Sequence, residues 1–271
     1  MSLAEDIKQK ALELGFDLVG ITNASLIDAK QVKLLADWLK AGYAGQMNYM
    51  HRNFQKRINP AKLLEGAQSV ICVALNYTPS ETQPKSTEPD VPTGRVANYA
   101  QYKDYHSFIK QRLRKLTEFI ISIADEDVSF KICVDSAPLA ERALAARAGL
   151  GFIGKNHILI NPELGPQIFL GEIVTTMKLQ TDKPITGNCS DCNKCIDACP
   201  TGALGADGQF DANKCISYLT IEHSQGGRPS AKGEIPEQLA EKIGDRLFGC
   251  DECVLACPYQ QSAPVCKNAE F

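Results

Sequence analysis

The chain has 271 residues, 44% apolar and 23% charged, enough to bury a sizeable core, which excludes a disordered chain. It holds no apolar run of about eighteen residues or more, and its start, MSLAEDIKQKALEL, carries acids and lysines where an export signal would be apolar; a soluble cytoplasmic protein is expected. The formal net charge of −3 gives no general attraction to nucleic acid, so such a partner must be met by a local patch.

In chain order, residues 3 to 14 have apolar positions at helical spacing and stop at Gly15, and DLVGIT (17–22) reads as a strand. An amphipathic helix follows over 26–41, with Trp38 in it. SVICVALNY (69–77) is continuous and β-rich, the pattern of a strand covered on both faces, and a Pro- and Thr-containing loop follows over 78–94. Residues 104–123 return to helical period, and SFKICVD (129–135) reads as a second buried strand. Pro138 is placed in the first turn of a helix LAERALAARAG. ILINPELGPQIFLGEIVTT (158–176) reads as two strands around a Pro/Gly turn. Alternating strands and helices predict an α/β (α+β) layer architecture for residues 1–180. Beyond that the composition turns to Cys, Gly, Asn and Asp, which places a second domain over 181–271.

Most of the eleven cysteines lie in this last third, in a chain without an export signal, so metal ligation is a better reading than disulfides. Cys189-x2-Cys192-x2-Cys195-x3-Cys199-Pro200 matches the bacterial ferredoxin run, in which three thiolates face one iron–sulfur cube and the fourth reaches its neighbour. A partial repeat, Cys250-x2-Cys253-x3-Cys257-Pro258, has Leu247 where the counterpart of Cys189 should stand, so one ligand comes from elsewhere; Cys215 is favoured and Cys266 is the alternative. Crossed ligation then assigns Cys189, Cys192, Cys195 and Cys257 to one [4Fe–4S] cluster and Cys199, Cys215, Cys250 and Cys253 to a second. Zinc also binds paired C-x2-C motifs, but it does not require the Cys-Pro tails. Cys72 and Cys133 sit inside apolar strands and read as small buried hydrophobes.

Two cubes imply an electron relay, and its acceptor is expected in the first 180 residues. No strand-linked G-x-G-x-x-G is present: Gly149-Leu150-Gly151-Phe152-Ile153-Gly154 has the spacing but follows a helix. Asp104-Tyr105-His106 begins like a cobalamin-binding Asp-x-His-x-x-Gly motif, yet Ile109 stands where the glycine should be. From the residues alone, the reading stops at a redox enzyme or an electron carrier.

The stretch Val134-Asp135-Ser136-Ala137-Pro138-Leu139-Ala140-Glu141-Arg142 and its continuation Gly149 to Asn156 resemble the epoxyqueuosine reductases. So do Tyr102 to His106, Cys215 to His223 and the two cysteine runs. The resemblance covers nearly the whole chain. It implies a cobalamin-binding catalytic domain with a ferredoxin-like module, and reduction of epoxyqueuosine to queuosine at the wobble position of tRNA. It implies two [4Fe–4S] clusters and cobalamin as cofactors, an external low-potential electron donor, and Asp135 as the catalytic proton donor. Arg57, Tyr105, His106, Asn156 and Ser217 fall in segments that would hold the corrin. A bland alternative leaves Asp135 as a helix cap and Glu141 and Arg142 as a pair on one helix face. Longer relatives continue into a helical repeat domain, and Ser224 to Lys232 reads as an inserted loop.

For tRNA, Arg52, Lys56, Arg57 and Lys62 form one basic group. Arg95, Lys103, Lys110, Arg112, Arg114 and Lys115 form another, interleaved with Tyr99, Tyr102 and Tyr105, which could stack on unpaired bases. A monomer without membrane contact is expected. Two other functions are open: a corrinoid reductase of small molecules resembling reductive dehalogenases, and a ferredoxin-type electron carrier.

Overall fold

The computed structural model describes residues 2–80, 93–223 and 235–268. The predicted inserted loop and most of the predicted 78–94 loop lie outside those residues. The elements of the first part are α1 (Leu3–Glu13), β1 (Leu18–Asn23), α2 (Ala29–Lys40), α3 (Asn48–Arg52), α4 (Phe54–Ile58), β2 (Ser69–Asn76), β3 (Arg95–Val96) and α5 (Tyr105–Ile123). After these come β4 (Phe130–Cys133), α6 (Glu141–Arg147), β5 (Phe152–Ile153), β6 (Leu159–Ile160) and β7 (Ile168–Thr175). The C-terminal part adds α7 (Lys194–Asp197), α8 (Ile216–Ile221), α9 (Glu237–Ile243), β8 (Arg246–Phe248), α10 (Glu252–Leu255) and α11 (Pro258–Gln261).

Local chemistry accounts for the helix starts. Ser2 and Glu5 form a reciprocal capping box on α1, the Ser2 amide donating to Glu5 Oε2 at 2.7 Å. Asp104 caps α5 by accepting the His106 amide at 3.1 Å. Helix α1 ends two residues before Gly15, whose φ of +90° lets the chain turn back towards β1.

The main sheet has the order β1-β2-β7-β4 and is antiparallel throughout. Every residue of β2 is buried, as its continuous apolar run requires. Odd-numbered β2 residues Ile71, Val73 and Leu75 face a core closed by Ile7 of α1 and Ile109, Leu113 and Leu116 of α5. Even-numbered Val70, Cys72 and Ala74 face Leu144 and Ala145 of α6. This period-two division is why the sheet is covered on both sides.

Three sequence expectations are corrected. The strand expected over 129–135 is four residues long at the sheet edge, with Lys131 exposed, so Asp135 lies beyond its end. Pro138 precedes α6 by three residues instead of opening it: the Ala140 amide pairs with the Arg57 carbonyl, and Ala140 is the N-cap. The two strands around the Pro/Gly turn do not form a hairpin, because β6 pairs with β5 while β7 joins the main sheet.

The C-terminal part interlocks with the first. Strand β3 pairs in parallel with β8. The Trp38 indole donates to the Phe210 carbonyl at 2.7 Å, and the Tyr218 hydroxyl accepts the Gln46 amide at 2.7 Å. No helix of the described residues is long and apolar enough to cross a membrane.

Candidate functional site

Asp135 follows β4 in a loop that turns into α6. Its φ of +55° is left-handed, a conformation that costs an L-residue about 1–2 kcal/mol and that aspartate tolerates better than most. Two contacts hold it: its amide donates to Glu141 Oε1 at 2.6 Å, and its Oδ2 meets His106 Nε2 at 3.2 Å. The other ring nitrogen of His106 lies 2.8 Å from Asp104 Oδ1. Hydrogen bonds from Ser107 and His106 bring the Asp104 carboxyl down to about 2, so it stays ionised and accepts the Nδ1 proton. His106 stacks on Tyr105, which stacks on Phe169 of β7 with centroids 4.2 Å apart. Burial, and after it the charges of Asp135 and Glu141, raises the Tyr105 phenol far above its ordinary value.

Arg57 of α4 closes the group from another side. Burial lowers its guanidinium, which faces Tyr49, Glu141 and Asp135, and its buried Nε has no partner among the described residues. Tyr49 reaches Glu222 Oε1, just past α8, at 3.4 Å; burial first and Glu222 second push its phenol up to about 12. Arg142 keeps exposed surface, and the surrounding protein lowers its guanidinium. It donates to the His157 carbonyl. Glu141 and Arg142 thus have separate hydrogen-bond partners, while each charge still acts on the other. Beside Glu141, on β7, lies Glu172, which is 0% exposed. Sequence reasoning overlooked Glu172; its one available signal was an acid within the otherwise apolar and Thr/Gly run Ile168–Thr175.

The cysteines fall into two groups. Cys189, Cys192, Cys195 and Cys257 line one cavity of about 270 Å³ together with Lys155, Asn156 and Tyr259. Burial, then the charges of Cys215, Cys250 and Cys199, raises the Cys253 thiol, which places those four together; Cys195 acts on it too, so the groups adjoin. Four thiols crowded into a low dielectric repel one another as thiolates, and a cationic iron–sulfur core removes that cost, so the donor sets fit such clusters. For Cys199, burial opposes ionisation, but amide donors from Leu204, Ala203 and Thr201 outweigh it and lower the thiol. The Lys155 amide points at Cys189 Sγ at 3.4 Å. Cys266 is elsewhere, its amide bonded to the Thr78 carbonyl at 2.8 Å and its thiol near Asp17. Cys72 and Cys133 are buried in the sheet.

Among the expected corrin-contacting residues, Arg57, Tyr105 and His106 gather around Asp135. Asn156 lies beside the first cysteine cavity, donating to the Cys253 carbonyl at 3.3 Å, and Ser217 lies in α8 next to Cys215. Tyr99 stands between Asp135 and Asp251, next to the second cysteine group; burial and then Asp135 push it up to about 12. Arg57 Nε, His157 Nε2 and both His223 ring nitrogens are buried without partners among the described residues, donors and acceptors that a polar group with many hydrogen-bonding arms could satisfy. A larger open groove of about 780 Å³, bounded by Asn23, Gln68 and Lys178, contains none of these residues.

The expected basic surface is partly used up inside the protein. Arg95 pairs with Asp245 and Glu252, and Arg112 packs over Phe108 and donates to the Leu14 carbonyl. Tyr105 stacks on Phe169, and Tyr99 lies tilted against Phe248. Arg52, Lys56, Lys62, Lys103, Arg114 and Lys115 remain exposed.

A two-faced α/β layer with a carboxyl–imidazole site beside two groups of four cysteines defines an iron–sulfur oxidoreductase. The family described as "Epoxyqueuosine reductase QueG, DUF1730" matches residues 57–136, and the "4Fe-4S double cluster binding domain" matches residues 188–260. The chain belongs to the epoxyqueuosine reductase family. It is 40% identical to the Vibrio cholerae epoxyqueuosine reductase over 269 residues, covering 99% of this chain and 70% of that one. It is 41% identical to the Escherichia coli enzyme, with 99% and 68% covered. The Streptococcus thermophilus enzyme superposes with a TM-score of 0.86 at 31% identity, covering 98% of this chain and 68% of that one. An epoxyqueuosine reductase solved with a tRNA-Tyr epoxyqueuosine-modified stem loop gives 0.84 at 34%, covering 99% and 68%. The Bacillus subtilis enzyme, at 0.81 and 34% with 99% and 66% covered, was solved with its aspartate-bearing catalytic loop swung out of the active site. A reductive dehalogenase shares the fold at 0.55 and 16%, covering 94% of this chain and 31% of that one.

Proposed function

We propose that this oxidoreductase reduces the epoxide of epoxyqueuosine to the alkene of queuosine in the anticodon loop of tRNA. In this reading residues 1–180 are the catalytic, cobalamin-binding part and residues 181–271 the electron-delivering part. The observation that carries it is Asp135, placed just beyond β4 in a strained backbone conformation, bonded to His106 and acting with Asp251 on Tyr99. One relative was solved with the modified tRNA stem loop, and another with its aspartate loop out of the active site.

Loss of the epoxide oxygen as water consumes two electrons and two protons. Bound cobalamin supplies the reducing centre at the substrate. Cys189, Cys192, Cys195 and Cys257 would hold one [4Fe–4S] cluster and Cys199, Cys215, Cys250 and Cys253 another, and these would supply one-electron transfer from an external low-potential donor. Arg57, Tyr105, His106, Asn156 and Ser217 would hold the cobalamin, with Asn156 also bonded to the Cys253 carbonyl. Asp135 gives a proton from Oδ2 to the leaving oxygen. His106, with Nδ1 at 2.8 Å from Asp104 Oδ1 and Nε2 at 3.2 Å from Asp135 Oδ2, orients the Asp135 carboxyl. The exposed basic residues Arg52, Lys56, Lys103, Arg114 and Lys115 meet phosphates of the stem.

The test is mass spectrometry of nucleosides from epoxyqueuosine-containing tRNA, after anaerobic incubation with the iron-loaded protein and a reductant, with and without cobalamin. Queuosine formed only with cobalamin supports the reading; unchanged epoxyqueuosine with both clusters intact overturns it.

A further inference from the structure

Glu172 poses a physical problem. It is wholly buried on β7, directly opposite Cys72 of β2 and Cys133 of β4, and neither carboxyl oxygen meets a hydrogen-bond donor among the described residues. A carboxylate cannot persist there, because burying an unpaired charge costs far more than binding a proton. Its polar neighbour is another carboxyl, that of Glu141, and two carboxyls hydrogen-bond only when one of them carries a proton. Glu141 in turn accepts the amide of Asp135 at 2.6 Å.

Within the pair, Glu172 itself meets only the acid charges of Glu141 and Asp135, and no cation among the described residues. Cys72, Cys133, Asp135 and Tyr105 face it as acids, and the cations Arg57 and Arg142 face Glu141 and Asp135. Arg142 donates instead to the His157 carbonyl. The Glu172 proton thus connects the sheet interior to Glu141, to the Asp135 amide and to the left-handed turn of the loop.

We propose that Glu172 is a positioning residue for Asp135: the proton it shares with Glu141 fixes the Glu141 carboxyl against the Asp135 amide and keeps the 134–140 loop turned inward, and losing that proton in alkali frees the loop. The inference deepens the proposed function and rests on Asp135 as the acid of that reaction. Its readout is loop position, which is measured without turnover, so failure of either can be told from failure of the other.

The experiment is amide hydrogen exchange on the cluster-loaded protein, following the Asp135 amide from pH 6 to pH 9 and correcting for the intrinsic pH dependence of exchange, with β7 amides as the control for folding. In the wild type, protection of Asp135 falls about tenfold or more as pH rises, the effect of losing one hydrogen bond to a charged group, while β7 stays protected. Glu172→Gln keeps a donor towards Glu141 and cannot ionise, so its loop stays protected at pH 9. Glu172→Leu fills the same volume without a donor, so its loop exchanges about tenfold faster at every pH. A wild-type loop insensitive to pH, or a Glu172→Leu loop as protected as the wild type, overturns the proposal. If one variant loses β7 protection, the other still decides, since a merely structural role would weaken β7 and leave the Asp135 amide bonded.

Discussion

At the scale of single residues, the site depends on a backbone angle. Asp135 occupies the left-handed region at φ +55°, which glycine enters without strain. Asp135→Gly is therefore expected to equal or exceed the wild type in thermal stability, by up to about 1 kcal/mol, while turnover to queuosine falls about 10²- to 10⁴-fold. Asp135→Asn is expected to lose the same activity with the clusters unchanged, read from visible absorption. The Glu141–Glu172 pair has a different signature. Burial, with the neighbouring carboxyls, raises Glu141 from 4.5 to about 7 and Glu172 well above its ordinary value. The folded state thus holds protons that the unfolded chain has released above about 4.5, so stability must fall as pH rises through 7. At a fixed heating rate, the thermal midpoint is expected to drop between pH 6 and pH 8.5, by an amount on the order of 2 kcal/mol, and Glu172→Gln is expected to flatten that slope.

At the scale of elements, the stop at Gly15 was read from the sequence, the Ser2–Glu5 box and the Asp104 cap were seen only in the structure, and the long-range partners were not readable at all. The α1 capping box, Gly15 and the Asp104 cap are local chemistry, written within four or five residues of sequence. So is the fully apolar β2. The shortening of β4, the late start of α6 and the separation of β6 from β7 depend on what each segment meets across the molecule. Helix α8 makes the point: it is six residues long, too short to be stable alone, and it is held by contacts from far along the chain. Gly45, with φ +55°, passes so close that an added Cβ would overlap the Tyr218 hydroxyl, the group that accepts the Gln46 amide. Gly45→Ala is expected to cost about 2–3 kcal/mol through strain and overlap together. Because Cys215 caps α8, the same variant is expected to lower iron content, measured against the wild type after identical loading.

At the scale of the whole molecule, the two halves of the chain are laced together rather than strung in series. Strand β3 pairs with β8, Trp38 with Phe210, and Cys266 with Thr78. This arrangement puts Tyr99 under the charges of both Asp135 and Asp251, the neighbour of Cys250. It also separates the two candidates for the eighth ligand. Cys215→Ala is expected to lose about half the bound iron, whereas Cys266→Ala, on the far side near Asp17, is expected to keep it all; iron and sulfide analysis checks both.

The sequence by itself determined the cluster chemistry, because cysteines at short fixed spacings announce iron–sulfur ligation, although packing must bring Cys257 to the first run and Cys199 and Cys215 to the second. It also determined the layered α/β character of the first part, because periodicity of two and of 3.6 residues is local. Only the tertiary structure decided which carboxyls form the acid site. Asp135 was visible through its motif, but Glu172 lies on a strand beyond α6 and acquires its meaning from burial and from Glu141, and burial depends on the whole chain's packing. The same is true of the tyrosines and arginines of the basic stretch. Their sequence shows charge and aromaticity, and only packing determines which of them is already occupied by the protein's own interior.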